Sequence, residues 1–206
     1  MRGWTDDLQE RAEALVALYP EPRSAVMPLL YLAMLADGYL TSAGMRRVAA
    51  FTGLTPAQVQ SVASFYTMFK REPTGKYLIS VCASISCHLM AAEAVLAAVE
   101  EATGVPAGKT GEDGLFTVER AECIGACGGA PAIQVNYETI EGVDPERTRA
   151  LCAWLRDEQP AVTRADELQQ RFGGRRAFEW GPEDAQGAMA PVPAFGPYAS
   201  AGEEGS

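Results

Sequence analysis

The sequence predicts an α/β chain in which a module of four helices precedes a small open sheet covered by helices. Three observations carry that expectation. Apolar residues recur at helical spacing through roughly the first 70 residues. The period then changes to strand-like alternation at "KYLISVC", residues 76–82. Beyond that point the signals run strand, helix, strand, strand and helix. The division that follows is 1–72 for the helical module, 73–158 for the α/β domain, and 159–206 for a tail rich in Pro, Gly and Ala.

In the first helix, "DLQERAEALVAL" (residues 7–18) sets Leu8, Ala12, Leu15 and Leu18 on one face, and "YPEPRS" must end it. A second helix fits Ser24 to Asp37, with Ser24 as its N-cap and Gly38 as its stop. The third runs from about Ser42 to Thr52 and stops at Gly53. The fourth has the clearest start: Thr55 as N-cap, Pro56 in the first helical position and Gln58 three residues after the cap. It carries Val59, Val62, Ala63, Tyr66 and Met68 towards Phe69, and "KREPTGK" closes the module.

The strand Lys76 to Cys82 ends at a cysteine. "HLMAAEAVLAAVEEATG" (His88 to Gly104) puts Leu89, Ala92, Val95, Leu96 and Val99 on one helical face. After the turn-rich "GVPAGKTGEDG", "LFTVERAEC" is a second strand that also ends at a cysteine, "PAIQVN" a third, and Asp144 to Glu158 a final amphipathic helix. From Gln159 onward the composition, with the basic-aromatic island "RFGGRRAFEW", predicts a segment that is disordered alone or docks on a partner.

A chain of 206 residues is long enough for two such units to bury a core. Its formal net charge of −10, with no basic stripe, excludes nucleic acid as a partner. The longest apolar stretch, "AVMPLLYLAMLA", is shorter than the roughly 20 residues of a membrane span and contains Pro28, so no membrane insertion is expected. Five cysteines, an odd number, and a start without a signal-type apolar run indicate a reducing, cytoplasmic compartment.

Four of the cysteines form two spaced pairs. Cys82 and Cys87 lie in "CASISCHLM" with four residues between them, and Cys123 and Cys127 lie in "ECIGACGGAP" with three between. Each pair stands where a predicted strand runs into a loop. If the two strands are neighbours, both pairs share the sheet edge at which open α/β sheets hold ligands, and the four thiols converge. Cys152, in "ALCAWL", instead belongs to the apolar face of the last helix and fills the core.

A disulfide is disfavoured by the compartment, and a thioredoxin-type dithiol by spacing, since it wants two intervening residues. A nucleophile–base pair of Cys87 with the only histidine, His88, is disfavoured because sequence neighbours rarely face each other. His88 reads as a solvent-facing residue in a helix's first turn. Metal remains. All four cysteines suit zinc, while the wide spacings favour an iron–sulfur core with one pair per iron. Ser84, Ser86 and the amides of "GACGGA" are candidate hydrogen-bond donors to sulfur, and the helix beginning near His88 directs its positive end at the site.

Several stretches together resemble a known family. They are "YPEPRSAVMPLLYLA", "VASFYTMF" followed by "PTGKYLISVC", the pair in "CASISC", and "EDGLFTVERAECIGACGGAP" with the following "VN" and "Y". The chain is similar, from Tyr19 to Arg156, to the thioredoxin-like [2Fe-2S] subunit of respiratory NADH-quinone oxidoreductase (complex I), the 24 kDa-type or E-type subunit. The resemblance implies a thioredoxin-like [2Fe-2S] ferredoxin domain with Cys82, Cys87, Cys123 and Cys127 as the four cluster ligands and no role for Cys152. It also implies that the N-terminal helices pack against a flavin-bearing subunit. Two departures stand out: Ala91 occupies a position where glycine is common, a mild change if it lies on a helix, and the tail is outside the family's core.

The implied function is an electron carrier. Its [2Fe-2S] cluster would exchange single electrons with the flavin of an NADH-oxidising partner, alongside further iron–sulfur subunits of a peripheral arm. That arm would sit on the cytoplasmic side of the inner membrane. No Rossmann fingerprint occurs in "GVPAG", "TGEDG" or "GACGGA", so NADH and flavin are assigned to the partner and no catalytic residue to this chain. The alternatives are the equivalent subunit of an NAD-linked formate dehydrogenase or bidirectional hydrogenase and, in another class, a zinc-stabilised scaffold.

Overall fold

The computed structural model describes residues 3–177, 186–194 and 196–199. It separates into two compact units, one running to Pro73 and taking in 196–199, the other spanning Thr74 to Ala194.

The first unit holds α1 (Asp6–Ala17), α2 (Val26–Asp37), α3 (Ser42–Thr52) and α4 (Pro56–Phe65). Thr55 and Gln58 make the reciprocal capping box at α4, with Pro56 in the first turn. Leu29, Leu30, Leu32, Ala33 and Met34 of α2 are all buried, which explains why this helix is apolar all round. Ser24 is not its N-cap: Pro22–Ala25 form a 3-10 turn that leads into α2, and Ala25 holds the cap position without a side-chain bond. The last helix stops at Phe65, where Tyr66 becomes extended, and the chain then sets Phe69 edge-on against Tyr31 at 5.0 Å between ring centroids. Arg11 donates to the carbonyls of Pro197 and Ala199, and the Tyr198 hydroxyl donates to the Pro28 carbonyl.

The second unit is a five-stranded sheet. Its strands are β1 (Tyr77–Cys82), β2 (Lys109–Thr110), β3 (Phe116–Ala121), β4 (Ala132–Val135) and β5 (Glu138–Glu141), in the order β2-β3-β1-β4-β5. Only β1 and β3 are parallel, in register from Tyr77 opposite Phe116 to Cys82 opposite Ala121. The helices are α5 (Ile85–Leu89), α6 (Ala92–Thr103), α7 (Pro145–Glu158) and α8 (Ala165–Phe172). The main core joins Tyr77, Ile79 and Val81 of β1 with Val95 and Val99 of α6, Leu151 and Leu155 of α7, and Leu168 and Phe172 of α8. No helix among the described residues is long and apolar enough to cross a membrane.

Three differences from the expected elements bear on the site. The helix expected from His88 to Gly104 is two helices, broken at Ala91, whose φ of 67° and ψ of 35° are left-handed. The alanine is therefore not a mild departure on a helix, because its Cβ meets the following carbonyl in this conformation. Ala91→Gly should stabilise the protein by about 1 kcal/mol; an unchanged or lower midpoint in urea unfolding would contradict the assignment of strain.

The second difference is β5, which pairs antiparallel with β4 through a two-residue turn at Asn136 and Tyr137 (φ 52° and 70°). Asn136 is buried, and it accepts from the Leu78 amide through Oδ1 at 2.8 Å and donates to the Lys76 carbonyl through Nδ2 at 3.2 Å. The turn is thereby fastened to the start of β1.

The third is the segment after Gln159. It does not extend freely: α8 inserts Leu168 and Phe172, an i,i+4 pair, into the domain core, and Thr163 pairs with Ala188 of a short hairpin, β6 (Ala188–Met189) with β7 (Val192–Pro193). Burial of that pair outweighs the Pro and Gly content that predicts disorder. The end of the basic-aromatic island, 178–180, and the chain's last residues lie outside the described residues.

Candidate functional site

The parallel pairing of β1 with β3 carries both strand ends to one edge of the sheet. Cys82 is the last residue of β1, and the single turn of α5 returns the chain so that Cys87 is also buried beside it. Cys123 follows two residues after β3, and its loop reverses at Gly125, whose φ is +87°. A 3-10 turn, Cys127–Gly129, then brings the Cys127 sulfur to 3.6 Å from that of Cys123. All five cysteines are free thiols.

The two pairs lie near enough for their charges to act on one another. The Cys87 thiol is pushed up to about 11, first by burial, with the Cys82 thiol and the charges of Cys82 and Cys127 adding and the Ala132 amide partly opposing. Cys127 is raised chiefly by its hydrogen bond to Cys123 and by that thiol's charge, with Cys82 contributing and the Ser86 hydroxyl opposing. Ala92, Ala126 and Ala132 are buried around Cys82 and Cys87, with Ile124 and Ala130 packed against them.

Of the expected donors, Ser86 lies near enough to Cys127 to oppose the rise of its thiol, and Ser84 occupies the N-cap position of α5. His88 is exposed and lies in the last turn of α5, with Nδ1 3.9 Å from Glu93 Oε1. Arg120 grips that same Glu93 through two bonds of 2.6 Å and holds its carboxyl below the usual range. Cys152 is far from this chemistry in character: it is wholly buried on α7, and burial pushes its thiol up to about 12. The Ala132 amide, Glu141 and Gln169, which surround the second pair's loop, carry no sequence signal of their own because their contacts are set by tertiary pairing.

Among the described residues, no three His, Cys, Asp or Glu side chains gather as a single metal ion would require. Of the site sulfurs, those of Cys123 and Cys127 approach to 3.6 Å.

A central strand with one parallel and one antiparallel neighbour, helices over one face and two thiol pairs at the strand ends define a thioredoxin-like domain built to hold an inorganic group. The chain belongs to the thioredoxin-like [2Fe-2S] ferredoxin family, whose model matches residues 12–156, and its cofactor is accordingly a [2Fe-2S] cluster. It is similar to the E subunit of NADH-quinone oxidoreductase from Mycobacterium tuberculosis (strain H37Rv), with 43% identity over 162 residues, 78% of this chain and 64% of that protein. It is similar as well to "NADH-quinone oxidoreductase subunit 2" of Thermus thermophilus, with 41% identity over 170 residues, 81% of this chain and 92% of the relative. The chain thus spans 64% of the length of the mycobacterial relative. A solved NAD+-reducing [NiFe]-hydrogenase shares the fold, with a TM-score of 0.60 and 23% identity over 70% of this chain and 24% of that one.

Proposed function

We propose that this chain is the electron-transfer subunit, of the 24 kDa type, of an NADH-quinone oxidoreductase. In this reading Cys82, Cys87, Cys123 and Cys127 hold one [2Fe-2S] cluster that exchanges single electrons with the flavin of an NADH-oxidising partner subunit. The observation that carries it is the parallel β1–β3 register, Cys82 opposite Ala121, which brings the two strand ends that lead into the thiol pairs to one sheet edge. The names of relatives at 38–43% identity support the quinone-linked complex over a formate dehydrogenase or hydrogenase setting.

When bound, the cluster supplies a store for one electron. The rest is the work of this chain's residues. Buried Cys82 and Cys87, among alanines, would keep water from one side. Exposed Cys123 and Cys127 would bring the other side within reach of a partner. Ser86 beside Cys127 and the Ala132 amide beside Cys87 favour negative charge on those sulfurs, which would raise the potential relative to a site without them. Residues 1–72 would pack on the flavin subunit and 73–158 would carry the cluster. Further iron–sulfur subunits would continue the route in an arm peripheral to the cytoplasmic face of the inner membrane.

Anaerobic purification of the full chain tests this directly. The expected product is red-brown, holds two irons and two sulfides per chain, and gives a one-electron paramagnetic signal on reduction. A colourless chain holding one zinc would establish the scaffold reading instead.

A further inference from the structure

We propose that residues 165–177 form a clasp on the second cysteine loop, with Gln169 as the positioning residue, so that the C-terminal segment sets how firmly and at what potential the cluster is held. The inference rests on the ligand assignment above and concerns residues beyond the family match, which ends at 156.

Glu141 is the last residue of β5, an edge strand, and its outward peptide groups need partners. Gln169 supplies them as a further strand would. Its Oε1 accepts from the Glu141 amide at 2.7 Å, and its Nε2 donates to the Glu141 carbonyl and the Gly174 carbonyl, both at 3.3 Å. The Gly174 amide donates to the same Glu141 carbonyl at 2.9 Å, and the Ala177 amide donates to the Glu141 carboxylate at 2.6 Å.

The other side of this junction is the cysteine loop. The Gly142 amide donates to the Gly129 carbonyl at 2.6 Å, and the Val143 amide to the Pro131 carbonyl at 3.1 Å, just after Cys127. The layers meet at backbone distance because both sides are glycine. A Cβ on Gly129 would strike the Glu141 side chain, one on Gly142 would strike the backbone of Arg175, and one on Gly174 would strike the Gly142 carbonyl. A cleft of about 470 Å³ separates Ile124–Ala126 from α8, so the clasp grips the glycine leg of the loop rather than its tip. Gln169 therefore acts on Cys127 through Glu141, Gly142 and Gly129.

The test uses the full chain, Gln169→Leu, and Gly174→Ala as an independent lesion of the same junction. In the cluster-free proteins, amide hydrogen exchange over 126–131 and 141–143 should quicken about tenfold in both variants, with β1 amides unchanged. In the loaded proteins, a chelator should strip iron about tenfold faster, and the midpoint potential and g values should shift. Unchanged loop exchange, or equal quickening in β1, would overturn the clasp whatever the cysteines hold. Quickened loop exchange with unmoved potential and iron release would overturn its action on the cluster. A wild-type chain that takes up no cluster while Gln169→Leu still loosens the loop would overturn the ligand reading and leave the clasp standing.

Discussion

Cys123→Ser is expected to abolish the cluster or alter its spectrum grossly, while Cys152→Ala leaves the spectrum intact. Cys123 stands 3.6 Å from Cys127 at the sheet edge, and on the proposed assignment replacing its soft sulfur with a hydroxyl oxygen would remove one of the four cluster ligands. Cys152 is wholly buried on α7 among Leu151, Leu155 and the sheet, so its loss leaves a small cavity that costs about 1–2 kcal/mol. Absorption spectra and urea unfolding of the two variants separate these effects. Bleaching by Cys152→Ala with colour retained in Cys123→Ser would show that the ligand set is wrong.

Asn136→Ala should lower stability by about 2–4 kcal/mol, without touching any thiol. Two effects add. The Leu78 amide, buried in the central strand, would lose its acceptor, and alanine would have to hold a φ of 52° that asparagine tolerates. Asn136→Asp keeps the acceptor and should recover part of the loss. Equilibrium unfolding is the measurement, and a loss below about 1 kcal/mol would refute the bracing role assigned to this turn.

Local chemistry made most of the fold legible in the sequence. Thr55, Pro56 and Gln58 announce α4, and the alternation of "KYLISVC" announces β1, because caps and period are written in neighbouring residues. Where the outcome depended on distant partners, the pattern failed. Ala91 is a strong helix former in a run of alanines, and only tertiary geometry forces it left-handed. β5 is four residues long and follows a turn whose second residue is Tyr137, not glycine. The apolar pair on α8 is hidden by its surroundings of Pro and Gly. At the site, the thiol pairs were legible from spacing, whereas Gln169 reaches Glu141 across 28 positions and Asn136 reaches Leu78 across 58. Bonds between a side chain and a remote backbone leave no local trace.

The separation of the two buried clusters bears on when the proposed cofactor would be loaded. The main core contains none of the four site thiols, and Cys82 and Cys87 belong to a small satellite cluster of alanines. The sheet can therefore close on hydrophobic burial alone, and the two thiol pairs meet only after β3 has docked beside β1 across the intervening α6 crossover. On the proposed ligand assignment, iron and sulfide would then be loaded onto a scaffold that has already folded. Binding to the folded scaffold would add to its stability by mass action, and the metal-free chain is expected to keep the circular dichroism of a folded protein.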